Sequence, residues 1–377
     1  MPVVSAGDHG GMEAVPEWFV TLAEELLAVP SVADRPADLH RALDLVLDFT
    51  GPGFTVERFE SGGKPSALVY PVSATRPRFL VIFNAHLDVV PAAPDRFVPR
   101  REGDRLYARG AQDMKVSALV MAWVFRESAA GLPYPVALQL VTDEEIGGRN
   151  GTLHQLRQGV IGDFVVIGEQ SGLRVVTDSK GMVVANLRAT GRGAHGAYPW
   201  LGDNALLKLM RSVDNMLARY PVATEEVWRT TVNLARVETP GAARNQVPAL
   251  AEAWLDIRFP PEDRELAGRS PQQVAEHLLG FCEPGVTPVV DHVDPPHHAD
   301  RDRPEVRALR AAARDQGYDA PFLRKHGAAD GRFYYERGVD AVIFGIGGDG
   351  QHGPDEYADL ATVLPYRRAL TAFLRGR

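Results

Sequence analysis

Cysteine is almost missing from this 377-residue chain, Cys282 being the only one. A single thiol excludes an intrachain disulfide and any zinc site built from several thiolates. Long apolar runs are missing too: no stretch reaches the roughly 18 residues that a membrane-crossing helix needs. There is no excess of positive charge. The 41 Lys and Arg face 49 Asp and Glu, a net charge of −8, so no basic field favours nucleic acid or anionic lipid. The opening MPVVSAGDHGGMEAV has neither a basic n-region nor an apolar h-region, and a cytoplasmic location is the expectation. Internal repeats and low-complexity tracts are absent. What remains is an ordinary globular composition, 45% hydrophobic and 24% charged, on a length that allows two or three domains.

Apolar spacing predicts two helices over residues 16–50, broken by proline. Strand-like stretches follow in FTVERF, SALVYP, RFLVIFNAHLDVV and RLYAR, then a buried helix in VSALVMAWVFRESAAG. PVALQLVTDEE and FVVIGEQ read as strands flanking a short helix, GTLHQLRQG. Near-continuous apolar strands separated by helices indicate a largely parallel sheet covered on both faces. From about residue 180 the pattern changes. GMVVANLRATG, NALLKLMRSVDNMLARY, EVWRTTVNLARVE, LAEAWLDIRF, PQQVAEHLLGF and VTPVVDHV give the order β-α-β-β-α-β, the split ferredoxin-like arrangement. DPPHHADRDRP reads as a solvated linker, and helix and strand patterns resume to the end of the chain. The expected organisation is an α/β domain in two parts, 1–179 and 292–377, interrupted by an inserted α+β domain over 180–291.

Five short motifs carry the chemistry: FNAHLDVVP, RGAQDMK, TDEEIGG, IGEQ and QHGPDEY. Together they supply His86, Asp88, Asp113, Glu144, Glu145, Glu169 and His352, most of them at the end of an apolar run. Imidazoles and carboxylates suit a borderline divalent metal such as zinc, and the set is large enough for two ions. His86 and Asp88 leave the same face of an extended segment, so Asp88 is either a direct ligand or the acceptor for the other ring nitrogen. Asp113 precedes the buried helix, where a simple helix-capping role competes with metal binding. Glu144 and Glu145 end a strand and point in different directions, so one can ligate while the other handles a proton. A solvated acidic loop is the plain alternative. GIGGDG matches a dinucleotide fingerprint, but Pro354 follows too soon for the required helix. Its glycines are better suited to bending the backbone that aims His352. HHAD at 297–300 is a metal-like cluster without an expected strand to hold it.

In this order the motifs resemble the di-zinc amidohydrolases and exopeptidases, the family of acetylornithine deacetylase, succinyl-diaminopimelate desuccinylase, aminoacylase and carboxypeptidase G. The resemblance runs from about residue 16 to the C-terminus. It implies a zinc-exopeptidase-like catalytic domain with an inserted lid or dimerisation domain, hence a homodimer, and two Zn2+ per chain, with Co2+ or Mn2+ as substitutes. By resemblance His86 and Glu169 bind the first metal, Glu145 and His352 the second, and Asp113 bridges them. Asp88 orients His86, and Glu144 is the general base. GRGAHGAYPWLGDNA matches the segment whose histidine, His195, stabilises the oxyanion from a partner subunit. Asn245 in RNQVP and Arg258 in LAEAWLDIRF match positions that contact substrate. The chain departs in Gln112, in Val116, and in Ala328-Ala329, which replace small hydroxyl residues near the desuccinylase acyl pocket. The expected reaction is hydrolysis of an N-acyl amino acid, with dipeptide or carboxypeptidase cleavage as the alternative. A non-catalytic relative would have lost ligands, and none is lost here.

Overall fold

The computed structural model describes residues 14–73 and 76–376. The opening MPVVSAGDHGGMEAV, on which the expectation of a cytoplasmic location rests, therefore lies almost wholly outside the described residues. The chain divides into two units: residues 1–177, 300–323 and 338–377, and residues 178–299 with 324–337.

The first unit is built on a mixed sheet. Its strands lie in the order Phe54–Ser61, Lys64–Pro71, Val136–Val141, Phe79–His86, Gly162–Ile167, Asp340–Ile343 and Val175–Ser179. The four strands from Val136–Val141 to Asp340–Ile343 run parallel, and antiparallel strands flank them on both sides. Phe79–His86 has a parallel neighbour on each side and is buried almost throughout, which explains its unbroken apolar sequence. Helices Glu17–Leu27, Pro36–Thr50, Val116–Ser128, Pro304–Arg314 and Val363–Arg375 bury their apolar faces. Val116–Ser128 is buried on nearly every side up to Phe125, as its unbroken apolar run Ala118–Phe125 demands. Inside the sheet, Asn84 Nδ2 donates to Gln139 Oε1 at 2.9 Å and to Thr152 Oγ1 at 3.0 Å.

The second unit is an antiparallel sheet in the order Thr231–Glu238, Leu250–Phe259, Gly181–Thr190 and Val286–Asp294. With helices Ala205–Arg219 and Pro271–Leu279 the chain order is β-α-β-β-α-β. Leu250–Phe259 alternates, burying Ala251, Ala253, Leu255, Ile257 and Phe259 in a core shared with Leu209, Met216, Val274 and Leu278. Asn204 caps the first helix by accepting from the Leu206 and Leu207 amides, and Ser270 with Gln273 forms a capping box on the second.

Three local expectations are corrected. EVW at 226–228 is not strand, and the strand opens only at Thr231. DPPHHADRDRP is not a solvated linker throughout. His297 is fully buried, and His297–His298 pair with Ser179 and Asp178 as a short strand, with His298 Nδ1 2.7 Å from Asp178. Residues 292–299 and 324–337 accordingly group with the second unit, beyond the boundary expected at 291. No helix among the described residues is long and apolar enough to cross a membrane.

Candidate metal centre

Three of the parallel strands deliver side chains to one sheet edge. His86 is the last residue of Phe79–His86, Glu144 lies three residues beyond Val141, and Glu169 two beyond Ile167. All three are at carboxyl ends, where open α/β sheets bind ligands. Glu144 and Glu145 are not on the strand as expected. They form a short 3-10 turn, Glu144–Ile146, whose amides point at Asp88: Glu144 N donates to Oδ1 at 3.2 Å and Glu145 N to Oδ2 at 3.0 Å. Asp88 thus holds the turn that carries both glutamates. It also lies beside His86, its Oδ1 3.5 Å from Nδ1, although its own backbone carbonyl is the nearer acceptor at 3.0 Å.

The buried helix has no side-chain cap at its N-terminal residue Lys115, and Asp113 stands just ahead of it in the turn Ala111–Lys115. Its carboxylate faces two imidazoles instead. Oδ1 is 3.0 Å from His86 Nε2, and Oδ2 is 3.2 Å from His352 Nε2. Glu145 Oε2 lies 3.1 Å from the same His352 nitrogen. His352 reaches this place from a loop between the paired strands Gly347–Asp349 and Tyr357–Asp359. Gly350 has φ +80°, and a Cβ there would meet Asp355 O at 2.7 Å, so only glycine closes the loop. His352 itself has φ +59°, a conformation a side-chain-bearing residue adopts at a cost. GIGGDG therefore forms a strand and turn, with no helix opening at its last glycine.

The donor atoms of His86, Glu144 and Glu169 lie within 4.8 Å of one another, as do those of His86, Asp113 and Glu145. Ligand atoms about 2.0–2.2 Å from one ion are themselves roughly 3–4 Å apart, so both groups are near the spacing an ion needs. The His86 hydrogen bond to a backbone carbonyl places a proton on Nδ1, so Nε2 is the nitrogen that faces the Asp113 carboxylate. Electrostatics follow the crowding. Burial pulls the His86 imidazolium down, but hydrogen bonds to Asp113 and Asp88 outweigh it and hold its pKa well above the ordinary value. Hydrogen bonds to Asp113 and Glu145 push His352 up to about 10. Burial raises the Glu145 carboxyl, with His352 opposing it.

The remaining three predicted residues lie in the second unit. Ala194–His195 pairs antiparallel with Gln246–Val247, bringing His195 and Asn245 onto one cavity of about 460 Å³, also lined by Pro240 and Pro248. His195 Nδ1 accepts the Ala197 amide at 3.1 Å. A neutral imidazole that accepts at Nδ1 carries its proton on Nε2, which has no hydrogen-bond partner among the described residues. Arg258 does not line that cavity and holds Asp256 through two hydrogen bonds of 2.6 and 2.9 Å.

Sequence reading missed two residues that the structure sets beside the centre, Arg109 and Glu356. Both fall inside the quoted motifs, yet their buried ion pair spans 247 positions, and no local spacing announces it.

A sequence model of the peptidase family M20/M25/M40 matches residues 82–376. The chain belongs to that family. Curated relatives agree. A succinyl-diaminopimelate desuccinylase of Sphingopyxis alaskensis is 32% identical, over 95% of this chain and 96% of that protein. A probable carboxypeptidase of Emericella nidulans is 29% identical, over 94% and 89%. Among solved structures, aminopeptidase PepT from Bacillus cereus superposes with a TM-score of 0.77 at 18% identity, covering 96% of this chain and 98% of its own. An M20 family metallo-carboxypeptidase from Sulfolobus solfataricus gives 0.74 at 19%, covering 95% and 98%. At such identities the superpositions speak for the fold alone. As an M20-family metallopeptidase the chain is a hydrolase of amide bonds, and binding of divalent metal goes with the family.

Proposed function

We propose that this chain hydrolyses the amide bond of an N-acyl amino acid with a pair of divalent ions, zinc in the first instance. The observation that carries the reading is Asp113, whose two carboxylate oxygens each face a different imidazole. His86, Asp113 and Glu169 would hold one ion, and Asp113, Glu145 and His352 the other. Bound there, the ions supply Lewis acidity and lower the pKa of water. Glu144, on the turn that Asp88 fixes, takes the proton of the attacking water and returns it to the leaving amine. His195 donates from Nε2 to the developing oxyanion, and Asn245 and Arg258 contact the substrate's carboxylate or carbonyl oxygens. Arg258 serves as a carboxylate clamp only if substrate displaces Asp256.

A homodimer belongs to this reading. Tyr198 and Trp200, exposed beside His195, are apolar surface of the kind a second copy covers. So does a cytoplasmic location, which suits a chain with a single cysteine and hence no internal disulfide. Peptide cleavage is the second reading, favoured by the relative named a probable carboxypeptidase. The test is a substrate panel of N-acyl amino acids and dipeptides, with activity abolished by chelation and restored by zinc or cobalt. Faster turnover of dipeptides than of every N-acyl amino acid reverses the order of the two readings. Full activity after exhaustive chelation, with no metal detected, removes both.

A further inference from the structure

Two chain segments far apart in sequence must be held together for Asp113 and His352 to meet. One is the turn after strand Arg105–Tyr107, and the other is the loop before strand Tyr357–Asp359, which pairs antiparallel with it. Between them lies one buried ion pair. Arg109 Nη1 donates to Glu356 Oε2, and the pair is 5% and 2% exposed. The other groups of the pair reach in opposite directions. Arg109 Nη2 donates to the carbonyls of His352 at 2.8 Å and Gly353 at 3.2 Å. Glu356 Oε1 accepts from the amides of Gln112 at 3.1 Å and Asp113 at 3.2 Å. The arginine that comes from the Asp113 segment thus grips the His352 backbone, and the glutamate that comes from the His352 segment grips the Asp113 backbone.

A buried ion pair is weak support for stability, because desolvating two charges offsets much of their attraction. Simple stabilisation would also not require each partner to bond the backbone of the opposite segment. We propose that Arg109 and Glu356 are positioning residues, a reciprocal clamp that fixes the Asp113 carboxylate and the His352 imidazole at the separation an ion between them requires. The inference rests on the two-ion reading above. Arginine is needed here because its planar fork serves a carboxylate and two carbonyls at once, which an ammonium group cannot do.

The experiment titrates the metal-free, full-length chain with zinc against a chromophoric chelator, with circular dichroism and the metal-free unfolding midpoint recorded for each variant. Wild type should take up two ions with two dissociation constants. In Glu356→Ala one of the two constants, that of the site holding His352, should worsen about 10–100-fold, the usual cost of losing a residue that orients a ligand. The other constant should change less, because the clamp holds two ligands of the His352 site, Asp113 and His352, and only Asp113 of the His86 site. Glu356→Gln, whose amide oxygen still accepts the two backbone amides, should recover much of the loss. A folded Glu356→Ala with both constants unchanged overturns the clamp, and so does an equal loss at both sites, which marks general scaffolding. If Glu356→Ala does not fold, Arg109→Lys is judged by the same two constants. A wild type that takes up no second ion overturns the metal reading itself, and the clamp with it.

Discussion

At the scale of single residues, the proposed function asks adjacent identical carboxylates to do different work. Glu145 Oε2 lies against His352 and is largely buried, whereas the Glu144 carboxylate groups with His86 and Glu169. Glu144→Gln should therefore keep its metal and lose turnover by roughly 100-fold or more, since an amide cannot accept the proton. Glu145→Gln should instead weaken one ion. Metal analysis beside kcat separates the two, and equal metal loss in both variants would refute the division of roles. The seven candidate residues could be singled out in the sequence because each sits in a short motif, most of them at the end of an apolar run. Their company could not. That Asp113 faces both imidazoles, that Asp88 holds the Glu144–Glu145 turn, and that Gln351 Nε2 also reaches Asp113 are facts of tertiary placement.

At the scale of elements, the parallel centre of the sheet has a polar seam. Asn84 bridges Gln139 on the neighbouring strand and Thr152 on the helix, and Gln139 Nε2 passes the connection to Gln155 at 3.1 Å. Removing one member strands buried partners away from water. Asn84→Ala should lower the unfolding free energy by about 1–3 kcal/mol, the cost of leaving such groups unpaired. Chemical denaturation checks this, and an unchanged midpoint would mean the seam re-pairs. Elements with strong period, such as Leu250–Phe259 and the two N-terminal helices, were readable nearly to the residue. Those set by distant partners were not. The 3-10 turn at Glu144 forms because its amides find Asp88, and His297–His298 becomes strand because residues 178–179 offer it an edge.

For the whole molecule, metal, protons and stability are linked. Without metal, hydrogen bonds to the neighbouring carboxylates raise the His86 pKa despite its burial and push His352 up to about 10. An imidazole must be neutral to ligate, so loading should release protons, and apparent zinc affinity should rise with pH across the neutral range. Calorimetry in buffers of different ionisation enthalpy measures this, and a binding heat independent of buffer would contradict it. The sign reverses for the empty chain. A histidine whose folded pKa is raised contributes stability that is full below its unfolded value, near 6.5, and is lost as pH rises through the folded value. The metal-free chain should thus become less stable from neutral pH towards 10.

Assembly belongs to the same scale. If His195 serves the centre of a second copy, mixing inactive His195→Ala with inactive Glu144→Gln under subunit exchange gives dimers with one doubly defective site and one intact site. Activity should reappear. No recovery, with exchange proven, would mean that His195 acts within its own chain or not at all.

The interval between His86 and His352 bears on how the protein is made. Synthesis delivers His86, Asp113, Glu144, Glu145 and Glu169 before the whole second unit, and the second imidazole only near the end. A nascent chain paused within the second unit carries Asp113 and Glu145 of the second proposed ion site without its histidine, an all-oxygen half-site suited to harder cations than the finished one. On the two-ion reading, the last imidazole to leave the ribosome completes that site's preference for a borderline ion, and its metal choice is settled late in synthesis.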